Sequence, residues 1–142
     1  MDRYWADQDV ADSKRVRTFL DLSFFGLRIL RRMPQPVIQV CGPITTGGTG
    51  SVQGNTQILA KAIKELRGRG LSVFNQLAFD EALVRIAKTY KDEYDLLEGF
   101  YLPLFESGYI KQLHFLPTWR TSVGARWEYR KGVYLGLEIH LL

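Results

Sequence analysis

The sequence predicts an α/β fold in which a mostly parallel sheet of four to five strands, with helices on both faces, follows a helical arm. Three observations predict it. Short apolar runs alternate with longer stretches whose apolar residues recur every three or four positions. Two prolines, Pro34 and Pro36, set off an N-terminal stretch, because proline fixes the backbone and cannot extend a helix. Finally, 142 residues with 46% hydrophobic and 24% charged side chains suit one ordinary globular domain.

The arm comprises residues 1–35. A helix is predicted over 12–32, where Val16, Phe19, Leu20, Phe24, Leu27 and Leu30 form a stripe widened by Phe25 and Ile29. Such a stripe must be buried, either on its own domain or on a second subunit, and the chain is expected to be a homo-oligomer. Residues 36–142 form the α/β domain. Its first strand, 37–40, runs into a Gly- and Thr-rich loop at 41–50. A helix from about Asn55 stops at Gly70, and 71–74 is the second strand. Helices are predicted over 79–88 and 91–105, the latter bent near Pro103. Strand 112–116, loop 117–121, a helix over 122–135 ended by Gly136, and strand 137–141 complete the domain. This order implies right-handed crossovers and a single Rossmann-like or flavodoxin-like domain. Ligands of such sheets bind beyond the C-terminal strand ends, where the loops after the first and third strands lie.

Composition narrows the function classes. No run approaches the ~20 apolar residues of a membrane span, and the N-terminus lacks a basic-then-apolar leader pattern. With Cys41 as the single cysteine, the chain is expected to be cytoplasmic, with no membrane partner. The net charge of +4 and pI of about 9.3 are a modest excess. The basic clusters Lys14, Arg15, Arg17 and Arg28, Arg31, Arg32 flank an apolar run and read as solvated helix faces, which disfavours nucleic acid as a partner. No His/Cys/Asp cluster has metal-ligand spacing, so neither metal nor cofactor is expected. His114 and His140 fall within strands and read as structural. Phe100, Tyr101, Phe105 and Tyr109 read as packing, and Cys41 as a small buried residue.

Two segments can carry chemistry. Gly42, Pro43, Ile44, Thr45, Thr46, Gly47 and Gly48 form a loop whose amides and hydroxyls suit a polar or anionic group. It is neither a Walker A motif nor GxGxxG. The second segment runs from Trp119 to Glu128. Ser122 is a helix N-cap, Gly124 and Ala125 permit close approach, and Glu128 follows within two turns. Glu128 is expected to point back toward the pocket mouth, ionised by the helix N-terminus.

Leu116-Pro117-Thr118-Trp119 with Ser122, Gly124-Ala125, Glu128 and Gly136, together with the opening Val40-Cys41-Gly42-Pro43-Ile44, resembles the nucleoside 2-deoxyribosyltransferase superfamily, including its deoxynucleoside monophosphate N-glycosidase relatives. The resemblance spans about residues 37–142. It implies cleavage or transfer of the N-glycosidic bond of a nucleoside or nucleotide, with Glu128 acting at the sugar C1′. Ser122, Gly124 and the 42–48 loop would hold the sugar's 5′ end or its phosphate, and Trp119 would line the base pocket. The alternatives are a non-catalytic nucleotide-binding module of the same fold, or an interaction protein built on the arm. The chain departs from the family pattern twice. Gln39 stands where a tyrosine that orients the glutamate is expected, and Leu102, Pro103 and Leu104 stand where a sugar-binding aspartate is expected.

Overall fold

The computed structural model describes residues 2–90 and 92–142. Its helices are α1 (Asp7–Ser13), α2 (Phe19–Arg32), α3 (Val52–Gly68), α4 (Asp80–Ala87), α5 (Glu93–Leu96), α6 (Leu102–Glu106) and α7 (Val123–Tyr134). Its strands are β1 (Val37–Cys41), β2 (Val73–Phe74), β3 (Ile110–Phe115) and β4 (Glu138–Leu141). The fold is α/β with an all-parallel four-stranded sheet in the order β2-β1-β3-β4.

The chain groups into two compact units. One comprises Pro34–Phe74 and Ile110–Leu142 and contains the sheet; the other comprises the N-terminal residues to Met33 together with Asn75–Tyr109. The prolines therefore mark one boundary, but the arm does not stand alone, because Asn75–Tyr109 clusters with it.

In the sheet unit, every β1 residue is buried, as expected of a central parallel strand. β1 aligns Ile38 with Val73 on β2, and Gln39 with Leu113 on β3. α3 packs against β1 and β2, and α7 against β3 and β4. α3 is capped by the Ser51 hydroxyl, which accepts from Gly54 N at 3.0 Å. It stops before Gly70, whose φ of +85° suits glycine and breaks the helical path. Gly132 on α7 lies so close to Leu113 that an added Cβ would come within 2.6 Å of it, which lets the helix settle on β3.

In the helical unit, the helix predicted over 12–32 begins only at Phe19, and a separate α1 precedes it. α1 ends at Ser13, and α2 starts afresh after Thr18, whose hydroxyl accepts from Asp21 N at 3.0 Å. The local cap outcompetes continuation. The buried face also differs from the predicted stripe. Leu22, Phe25, Ile29 and Leu30 are inside, whereas Leu20 and Phe24 are 52% and 59% exposed. The aromatic rings fix this choice: Phe25 meets Trp5 and Phe79, and Phe79 meets Phe100, with centroids 5.0–5.9 Å apart. Asp9, buried at the foot of α2, bonds to Arg32 and Arg28. The Arg32 guanidinium holds its carboxyl below the ordinary range.

Pro103 falls in the first turn of α6, directly after a π-helical turn at Leu97–Tyr101. A proline lacks the N–H that would continue the ladder, and the wider turn absorbs the defect. The predicted helix start at Lys91 lies outside the described residues. Phe100, Tyr101 and Phe105 are buried, as expected of packing residues. Deleting residues 2–33 would take Trp5 and Phe25 away from Phe79 and expose its ring. The shortened chain should bind a dye for exposed apolar surface and change its oligomeric state; a shortened chain unchanged in both would refute this packing.

Candidate functional site

Parallel order 2-1-3-4 has its topological switch between β1 and β3, because the chain leaves β1 toward β2 and later returns to β3 on the other side. In open parallel sheets ligands bind outside the C-terminal strand ends at such a point. The loops that follow β1 and β3 are the two that the sequence singles out, and the structure brings them together. Gly48 N donates to Thr121 Oγ1 at 2.8 Å. Val123 N, the first amide of α7, donates to Thr46 Oγ1 at 3.0 Å. Ser122 is buried and caps α7, its hydroxyl accepting from Ala125 N at 3.2 Å.

Backbone conformation makes this latch possible. Gly47 and Gly48 have φ of +71° and +61°, and a Cβ on Gly47 would sit 2.1 Å from the Thr121 carbonyl oxygen. Asn55, buried at the start of α3, ties the loop from within. Its Nδ2 donates to Ile44 O and Gly47 O at 3.1 and 3.2 Å, and its Oδ1 accepts from Thr49 N and Thr49 Oγ1, both at 2.9 Å. Both faces of the amide are thereby satisfied. Thr45 remains exposed on the loop, while Gly42 and Pro43 are buried beneath it.

Glu128 lies in the second turn of α7 and is 7% exposed. Its Oε2 accepts from Gln39 Nε2 at 2.6 Å. Gln39 and Cys41, two apart on β1, share one face of the sheet, and the Cys41 thiol also hydrogen-bonds the Glu128 carboxyl. Gln39 Oε1 is buried with no hydrogen-bond partner among the described residues. Burial is the main cause that pushes the Glu128 carboxyl up to about 8, against which the Cys41 and Gln39 hydrogen bonds work. The expectation of an ionised carboxylate favoured by the helix N-terminus is thus corrected: desolvation outweighs the dipole, which is weak beyond the first turn. Burial also raises the Cys41 thiol, with the Glu128 charge adding to it, so the thiol is neutral and unreactive.

The sign of the linkage follows. Unfolded Glu128 loses its proton near 4.5, whereas the folded group keeps it to about 8. Its contribution to stability is fully present below the lower value and is lost as pH rises through the upper one. The Glu128→Gln variant should lack this component. Its melting temperature should fall less than that of the parent between about pH 5 and 8.5, by on the order of 5 °C. Parallel curves would mean that Glu128 ionises normally in the folded chain.

The remaining candidates fall as follows. Trp119 is buried, stacked on Tyr129 with centroids 4.6 Å apart, beneath the Arg120 guanidinium and edge-on to Phe115. Its ring is part of an aromatic cluster. Gly124 is half-buried in the first turn of α7. His114 and His140 stack across β3 and β4 with centroids 4.4 Å apart, as their strand register dictates. Burial lowers the His114 pKa. Among the described residues, no group of three His, Cys, Asp or Glu could hold a metal, and no helix is long and apolar enough to cross a membrane.

Fold and site thus define an α/β protein with a latched glycine loop and a buried acid at the switch point of its sheet. No family model, curated protein or solved structure matches the chain, so its own residues and their geometry carry the functional reading.

Proposed function

We propose that the sheet unit binds a nucleoside or nucleoside monophosphate at the switch point and cleaves or transfers its N-glycosidic bond, with Glu128 acting at the sugar C1′. The observation that carries this reading is the buried Gln39–Glu128 hydrogen bond, 2.6 Å long, on the α7 turn that follows the loop latch. Gln39 occupies the position at which the resemblance expects the residue that orients the glutamate, and its amide performs that task for the carboxyl. The unpartnered Gln39 Oε1 adds a buried acceptor beside it. Of the amides that the latch and the Ser122 cap do not use, those of the 42–48 loop and Gly124 N at the start of α7 supply donors for the sugar's 5′ end or its phosphate.

In this reading the Glu128 carboxylate attacks C1′ as the C1′–N bond breaks, and the base leaves with the bonding electron pair and takes a proton from water. Water or a second base then attacks C1′ of the glycosyl ester and frees the carboxylate. Because the acid holds its proton to about 8, the reactive form is a minority at neutral pH, and the rate should rise with pH toward that value.

The same burial favours a second reading: a nucleotide-binding module without turnover, in which Glu128 is a neutral hydrogen-bonding group. Incubation with nucleosides and their monophosphates, followed by chromatography for free base, separates the two. Free base released in a Glu128-dependent manner supports the enzyme. Saturable nucleotide binding without release puts the module in its place, and neither binding nor release removes both. A cytoplasmic location and self-association accord with either reading.

A further inference from the structure

We propose that the helical unit carries a separate anion site, for a compact and multiply charged phosphate group, in the depression lined by Lys14, Arg15, Arg17 and Arg85. The depression has a volume of about 620 Å³, with Val16 and Ile86 among its walls and, among the described residues, no carboxylate lining it. That volume is in the range of small-ligand sites, roughly 300–1,000 Å³.

Three features set these cations apart from an ordinary solvated face. First, the nearest α1 carboxylates are hydrogen-bonded by other groups, and Asp12 acts on Arg15 only through a lesser charge interaction. Asp9 bonds to Arg32 and Arg28, and Asp12 accepts from Arg28 at 2.8 Å and from Gln8 at 2.8 Å. Among the described residues, Arg28 and Arg32 of α2 thus take the α1 acids, and no ion pair reaches Lys14, Arg15, Arg17 or Arg85. Second, the charges are held together by backbone bonds. Arg85, in the last turn of α4, donates from Nη2 to Ser13 O at 3.1 Å and to Val16 O at 2.6 Å. It thereby fastens the α1–α2 connection, which carries Lys14, Arg15 and Arg17, against itself. Like charges fixed in one wall repel, and a bound anion relieves that repulsion. Third, among the described residues no aromatic ring lines the depression, so none of them stacks on a base. Recognition rests on charge and guanidinium geometry, which match phosphate oxygens. A di- or triphosphate chain has the charge density and size to engage all four cations, whereas an extended nucleic-acid backbone would present them only one or two phosphates.

The test is calorimetric titration of the full chain with sodium tripolyphosphate at low ionic strength. We expect one saturable site, weakened at least about tenfold in the Lys14→Gln/Arg17→Gln double variant. Neither substitution touches the Arg85 bonds, and circular dichroism should confirm an unchanged fold. Lys61→Gln, on α3 of the sheet unit, should bind as the parent does. Absence of saturable binding, or equal weakening by Lys61→Gln, overturns the proposal. A short DNA duplex should not displace tripolyphosphate at equal phosphate concentration; if it does, the phosphate belongs to a nucleic-acid backbone and the small-anion site is refuted.

Discussion

Replacing Glu128 by glutamine should lower the rate of free-base release by at least about a hundredfold, as expected for a group acting directly on the transition state. The substitution is nearly isosteric. The Gln39 amide can still meet a side-chain oxygen at position 128, so the geometry around the 2.6 Å hydrogen bond should survive. Nucleotide affinity should change little, because the loop and the start of α7 supply most of the ground-state contacts. The variant should also be more stable than the parent above about pH 8, where the parent must ionise a buried acid. Lower activity with higher stability is an informative combination, since a merely damaged fold would lose both. A variant that turns over substrate at the parental rate would remove Glu128 from the chemistry.

Gly47→Ala should be the most damaging single-methyl addition in the sheet unit. Its φ of +71° costs an alanine about 1–2 kcal/mol. The new methyl would also meet the Thr121 carbonyl at 2.1 Å and its hydroxyl oxygen at 2.5 Å, a clash between backbones that no side-chain rotation relieves. The loop must therefore leave the Trp119–Thr121 turn, breaking the Gly48–Thr121 bond. Nucleotide binding should weaken at least about tenfold, with the melting temperature falling by on the order of 10 °C. Gly50→Ala supplies the comparison. Gly50 has a similar φ of +84° but nothing within 4 Å of an added Cβ, so only the conformational cost applies. Equal behaviour of the two variants would mean that the latch contributes nothing to binding or stability.

The sheet was legible because its cues are local. Val37–Cys41 is an apolar run before a glycine loop, Gly70 and Gly136 end helices, and Ser122 is a good cap; each of these works within one turn of chain. The packing of the arm was not legible. Phe24 and Phe25 are chemically alike, and only Trp5 and Phe79, remote in sequence from α2, decide which is inside. The break between α1 and α2 was hidden because the apolar spacing runs across it, while Thr18 caps locally. At the site, Glu128 and both loops were readable from residue type and spacing, but the state of the carboxyl was not, since desolvation is a property of the surroundings. Asn55 was read only as a helix start, and Thr46 as a ligand-holding hydroxyl rather than as the acceptor for Val123 N. Gln39 did leave a trace: a lone amide in an otherwise apolar central strand needs a buried polar partner.

The pairing of β1 with β3 brings Val37 beside Ile110, with the whole of Asn75–Tyr109 threaded between them in the chain. Contacts so remote in sequence must await closure of a long loop, and chains dominated by them fold slowly. During synthesis β1 emerges before either strand that will flank it. Until β3 arrives it exposes apolar side chains and an open ladder of amides and carbonyls, the kind of surface on which nascent chains aggregate. If Asn75–Tyr109 folds early with the N-terminal helices, it shortens the effective loop and draws Ile110 toward β1. Weakening the Trp5–Phe25–Phe79 cluster would then slow completion of the sheet, although none of its rings belongs to a strand.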